Sequence, residues 1–195
     1  MVMVNPHKQE PLRMTEAEYL AFQEKSDIRY EFVSGKVYAM AGADWKHVMI
    51  TQSTSVALYN QLAGKSCFVA TSDLRLKVTS KKVSYRYPDL MVICGSPRFV
   101  DGRQDTINNP IVIIEVLLPS TALEDRNAKL EEYTSIESVQ EYLLISQDDI
   151  KIERFKRHQA GEWLYTSVTG LEAQLEINSI DCVLTLASVY EKVNE

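Results

Sequence analysis

The chain has 195 residues, 45% hydrophobic and 25% charged, with seven glycines and six prolines. That excludes collagen-like, low-complexity and wholly disordered chains, and the length suits one sizeable core. The net charge of −6, from 21 Lys and Arg against 27 Asp and Glu, speaks against binding nucleic acid by bulk electrostatics. Cys67, Cys94 and Cys182 are far apart and form no zinc or redox motif, so reduced thiols are expected. The first residues lack the apolar core of a signal peptide, and no apolar stretch is long enough to span a bilayer. A cytoplasmic protein without membrane contact is expected.

In chain order, residues 1–13 show no periodicity and are expected to form a loose arm. Thr15 and Glu18 form a T-x-x-E capping box that opens a helix to about Lys25. RYEFVSGKVYAM alternates around Ser34-Gly35, the pattern of a β-hairpin. Asp44 caps a long helix over about 45–63, with Met49, Gln52, Val56 and Tyr59 at helical spacing. Strands are predicted at 67–71, 74–79 and 89–94, followed by a loop over 95–109. Ile111–Leu118 has the composition of a strand buried on both faces. Pro119 ends it, and Ser120 or Thr121 caps a helix to about Thr134. Further strands are predicted at 141–146, 150–157, 163–168 and 171–177, with a last helix over 186–193. The sum is one α/β domain with a central mixed β-sheet flanked by helices.

The chemistry concentrates in IVIIEVLL. A carboxylate in such a run is costly unless something offsets its charge, although Glu115 could also sit at a strand end and pair with a cation. Asp89, in YRYPDLMVIC, opens a second apolar strand. Two acids on neighbouring buried strands raise one another's pKa unless a divalent cation neutralises both, and hard oxygen donors suit Mg²⁺ or Mn²⁺. On the following helix Asp125, Lys129 and Tyr133 share a face, as a solvated pair or as a cation folded back over the acids. Two acids and a lysine are a phosphodiester-cleaving set: the lysine orients or deprotonates water or stabilises developing charge. Residues 65–86 carry Lys65, Arg75, Lys77, Lys81, Lys82 and Arg86 against Asp73, a local +5 that leaves −11 elsewhere. This segment is either a phosphate-contacting surface or a solvated hairpin edge.

YEFVSGKVYAM, the histidine opening the next helix, YPDLMVI, IIEVLLPST and the DRNAKLEEY helix together resemble the Uma2 family, formerly DUF820. That family belongs to the PD-(D/E)xK restriction-endonuclease-like superfamily. The resemblance spans roughly residues 12–190 and implies a restriction-endonuclease-like domain over 14–195. It puts Pro88 and Asp89 at the PD motif and Glu115 at the second acid. Leu117 stands where the superfamily lysine usually lies, and Lys129 takes its place from the helix. Glu31 matches the acid of the hairpin motif, as an assisting catalytic residue, and His47 matches the helix-opening histidine. Leu118 departs from the serine more usual there. The resemblance implies Asp89, Glu115 and the Val116 carbonyl as ligands of Mg²⁺ or Mn²⁺, DNA as substrate, and a homodimer if both strands are cut. The alternative is a catalytically silent nucleic-acid-binding or assembly module that keeps the nuclease fold.

Overall fold

The computed structural model describes residues 11–40, 42–80, 82–100, 102–119 and 122–193. The chain opens with β1 (Leu12–Arg13), α1 (Glu16–Gln23), β2 (Tyr30–Val33), β3 (Lys36–Ala39) and α2 (Trp45–Leu62). Then come β4 (Cys67–Thr71), β5 (Arg75–Thr79), β6 (Val83–Arg86), β7 (Leu90–Cys94), β8 (Thr106–Ile107) and β9 (Val112–Leu117). Two short helices, α3 (Ala122–Arg126) and α4 (Ala128–Thr134), precede β10 (Glu141–Ser146), β11 (Lys151–Arg157) and β12 (Trp163–Thr169). The chain closes with β13 (Gln174–Ile177), β14 (Cys182–Thr185) and α5 (Leu186–Val189).

These elements form one mixed α/β domain. The central sheet runs β12-β11-β10-β9-β7-β4, with β9 and β10 parallel and the other pairs antiparallel. A second sheet runs β1-β3-β2-β6-β5-β8, and β13 and β14 form a separate ribbon. Every residue of β9 is buried. Because side chains alternate across a strand, Val112, Ile114 and Val116 join the core under α2, α5 and the ribbon. Ile113 and Leu117 join the core on the opposite face, with Tyr133 and Tyr142. Glu115 falls on that second face.

Local chemistry explains most boundaries. Thr15 and Glu18 form the reciprocal capping box, with the Thr15 N–H donating to Glu18 Oε2 at 2.7 Å. Ser34 and Gly35 both take positive φ, 53° and 86°, as a two-residue hairpin turn of the primed type requires. Of the expected arm, residues 1–10 lie outside the described residues, while Leu12 and Arg13 pair with Val37 and Lys36. The proposed caps Ser120 and Thr121 also lie outside the described residues. Among the described residues, no helix is long and apolar enough to cross a membrane.

Three expectations change. The single helix to Thr134 is two helices, divided at Asn127, whose backbone leaves helical geometry at φ −122° and ψ −79°. The buried stripe of α2 is His47, Ile50, Thr54, Leu58 and Leu62, while Val56 and Tyr59 are more than half exposed. This helix carries apolar residues on two faces, and periodicity alone does not tell which one the sheet takes. Finally, Cys67 and Cys94 are directly paired across β4 and β7 and form a disulfide; only Cys182 is free, and it is buried. The expectation of three reduced thiols fails because strand register brings together two cysteines 27 positions apart. Closing a loop of that length restricts the unfolded chain, so reduction is expected to lower the unfolding free energy by about 2–4 kcal/mol. Urea unfolding with and without dithiothreitol checks this, and an unchanged midpoint would refute it.

Candidate active site

β7 and β9 pair antiparallel with Leu90 opposite Ile114, so the next step brings Asp89 alongside Glu115. The Asp89 N–H points at Glu115 Oε2 (3.4 Å), and Asp89 Oδ2 accepts from the Val116 N–H at 2.7 Å. Glu115 is 3% exposed. Its Oε1 accepts from Lys129 Nζ at 3.0 Å and from the Tyr133 hydroxyl at 2.8 Å. Lys129 also reaches Asp125 Oδ1 at 2.9 Å, so the predicted helical face forms despite the break at Asn127. Leu117, two residues after Glu115, is buried among apolar neighbours, and the cation beside Glu115 comes from α4.

His47 enters from the other side of the sheet. Asp44 caps α2, accepting the His47 N–H at 2.9 Å, and Gln147 Nε2 holds the other Asp44 oxygen at 3.2 Å. This sets His47 Nε2 3.1 Å from Asp89 Oδ2. A residue with no role assignable from sequence is thus a group that orients Asp89. Glu31 lines the same cleft, but its carboxylate is held by Arg86 at 2.7 Å and by the Tyr87 N–H at 3.3 Å.

Burial governs the electrostatics. Glu115 is pushed up to about 8 by desolvation, opposed by Lys129 and reinforced by the charges of Asp89 and Asp125. Burial disfavours the Lys129 ammonium, but Glu115, Glu31 and Asp125 outweigh it and raise its pKa well above the ordinary lysine value. Lys129 is therefore charged at neutral pH and fits the role of charge stabiliser, not of base. Burial opposes ionisation of Glu31, and Arg86 overrides it, holding this carboxyl below its usual range. Desolvation also disfavours charged His47, yet the hydrogen bond and charge of Asp89 raise its pKa.

The two arginines of the basic segment turn out to be interior, while Lys65 and Lys82 are exposed. Arg75 and Arg86 are each 1% exposed. Arg75 is bound to Asp105 and Thr106, and Arg86 to Glu31, Glu124 and Glu132. Lys77 pairs with Glu16 at 2.8 Å. Contrary to expectation, none of these three presents a free cation to DNA, because each offsets carboxylates of its own fold. Lys82 is exposed, and Lys81 lies outside the described residues. Sequence reasoning missed Arg86 as the interior partner of Glu31; the available signal was its place between Tyr85 and Tyr87, next to Pro88-Asp89.

Among the described residues, no group of three or more His, Cys, Asp and Glu side chains is arranged to hold a metal ion. Two adjacent carboxylates nevertheless fit Mg²⁺, which is usually held by one or two carboxylates and keeps water or phosphate oxygens for the rest. The raised Glu115 marks a site that an added cation would relieve.

A family model, Uma2, described as "Putative restriction endonuclease", matches residues 16–187. The chain belongs to the Uma2 family. "Uncharacterized protein sll1609" of Synechocystis sp. (strain ATCC 27184 / PCC 6803 / Kazusa) is 36% identical over 165 residues, covering 85% of this chain and 93% of that protein. "Uncharacterized protein slr1290" of the same organism is 31% identical over 180 residues, covering 91% and 92%. A solved structure from Anabaena variabilis ATCC 29413, a "putative nuclease belonging to DUF820", superposes with a TM-score of 0.73 at 17% identity, covering 91% and 98%. At that identity the likeness establishes a shared fold. The α/β architecture around the Asp89–Glu115 pair is thus the architecture of an Uma2 protein.

The site carries a pH signature. Glu115 holds its proton up to about 8 in the fold and releases it near the ordinary glutamate value of 4.5 when unfolded. Between those values the folded state binds more protons, so stability falls as pH rises; above the ordinary histidine value of 6.5, His47 acts in the same direction. In chelator-treated protein, unfolding free energy is expected to decline from pH 5 to 8, by at most about 1.4 kcal/mol per pH unit per group. Urea unfolding across that range tests it: Glu115→Gln should flatten the slope, and a rise with pH would overturn the assignment.

Proposed function

We propose that this Uma2 protein is a metal-dependent endonuclease that hydrolyses phosphodiester bonds in DNA. One observation carries the reading: Asp89, Glu115 and Lys129 converge on a cleft of about 1080 Å³, with the acids on neighbouring strands and the ammonium hydrogen-bonded to Glu115. A buried acid with its own cation beside a second, partly buried acid is costly to assemble and has no packing advantage over apolar residues.

Asp89, Glu115 and the Val116 carbonyl would hold Mg²⁺ or Mn²⁺. A strand residue directs its N–H and C=O to the same edge, so this carbonyl opens toward Asp89, which the Val116 N–H already contacts. When bound, the ion supplies Lewis-acid polarisation of the phosphate and acidification of water. Lys129 stabilises the charge that develops on the phosphate oxygens. Tyr133 fixes the Glu115 carboxylate, and His47 fixes Asp89. Glu31, ionised beside Arg86, adds negative potential that favours cations in the cleft. Cutting both strands of a duplex takes two centres, which a homodimer would supply.

Plasmid nicking with Mg²⁺ tests the reading. Asp89→Asn, Glu115→Ala and Lys129→Ala are each expected to slow cleavage by about 10²-fold or more, the scale of losing one transition-state stabiliser. Equal activity in all variants would remove the assignment. DNA binding without metal-dependent cleavage would favour the silent binding module instead.

A further inference from the structure

The cleft that ends on Asp89 and Glu115 has α2 as one wall and the β2–β3 hairpin as the other. Val48, Gln52 and Val56 line the helical wall, and Trp45 and Tyr59 extend that helix face at spacings of three and four. Trp45 is 69% exposed, and Tyr38, on the hairpin wall, is 42% exposed. Gln52, Val56 and Tyr59, read from the sequence at helical spacing, belong to this face, and the sheet leaves Val56 and Tyr59 more than half exposed.

The cleft has little to offer a duplex. Double-stranded DNA presents phosphates outward at one charge per ~1.7 Å and hides its base faces, so proteins grip it with rows of Lys and Arg. Around this cleft Arg75, Arg86 and Lys77 are bound to carboxylates. Of the cations lining it, Lys129 is buried, Arg29 pairs with Asp73 at 2.6 Å, and Lys36 on the hairpin is exposed, a single lysine and not a row. Glu115, on which the cleft ends, is 3% exposed. A single strand carries the same phosphates but adds contacts that a duplex withholds. Its backbone bends, and its exposed base faces stack on Trp and Tyr with little regard to sequence.

We propose that the substrate is single-stranded DNA, as a free strand, tail or flap, laid along α2 with Trp45 and Tyr38 stacking on its bases. This rests on the endonuclease reading and names the substrate class of that same centre.

The test uses the intact protein with a labelled oligonucleotide of mixed sequence, its blunt duplex, and a hairpin bearing a single-stranded tail. In EDTA, the single strand is expected to quench indole fluorescence and to bind at least tenfold more tightly than the duplex. Trp45→Phe should remove most of the quench. Trp45→Ala and Tyr38→Ala, at exposed positions, should each weaken single-strand binding by about fivefold or more, the lower edge of base–aromatic stacking. With Mg²⁺, cleavage should fall in the free strand and the tail. Duplex bound and cut as well as the single strand would overturn the proposal and leave the endonuclease reading standing. Failure to bind or cut any of the three would overturn both, and a mass that rises with concentration and falls in Tyr59→Glu would then identify a second copy of the chain as the occupant of α2.

Discussion

Glu115 sits in the middle of a strand whose other residues are apolar, and the cost of ionising it there sets the terms for everything around it. An isolated carboxylate there would be driven to neutrality by desolvation. Lys129, Tyr133 and the Asp89 N–H face its two oxygens. Each partner brings a demand of its own. Lys129, itself buried, takes Asp125 as a second anion, and Arg86 satisfies Glu31, Glu124 and Glu132 beside them. The interior charges form a connected network, in which removing any one leaves another uncompensated.

The two-faced sheet makes such a network possible. One face of β9 packs on α2 and α5 with Val112, Ile114 and Val116, so the polar chemistry is confined to the other face and to the strand ends. There α4 supplies Lys129 and Tyr133, while the first turn of α2 reaches past the sheet to set His47 on Asp89. Glu115 stands on a strand locked by backbone ladders and Asp89 immediately precedes one, which is where fixed geometry is easiest to hold. The cation stands on a seven-residue helix freed from α3 by the break at Asn127.

What could be read from the sequence divides along physical lines. Strong local signals held: the capping box at Thr15, the hairpin turn at Ser34-Gly35, the doubly buried β9, and the helical face shared by Asp125, Lys129 and Tyr133. Choices made by tertiary packing did not. Periodicity could not decide which apolar face of α2 meets the sheet. Charge counting could not distinguish a lysine in water from Arg75 or Arg86 sealed against carboxylates, so part of the local +5 is internal compensation. The short strands β6 and β8 exist because of their neighbours, and the Cys67–Cys94 pair is a product of register.

Supplying the cation from a helix leaves its mark at Leu117. With lysine moved to α4, the strand position two residues after the second acid is free to join the apolar core beside Ile113 and Tyr142. The acid and its cation are then fourteen positions apart and meet only in the folded chain. A search for an acid and a lysine close together on one strand would not find this pair, although the two groups are within hydrogen-bonding reach. In such chains the signature belongs to a strand and the helix after it, read together as one unit.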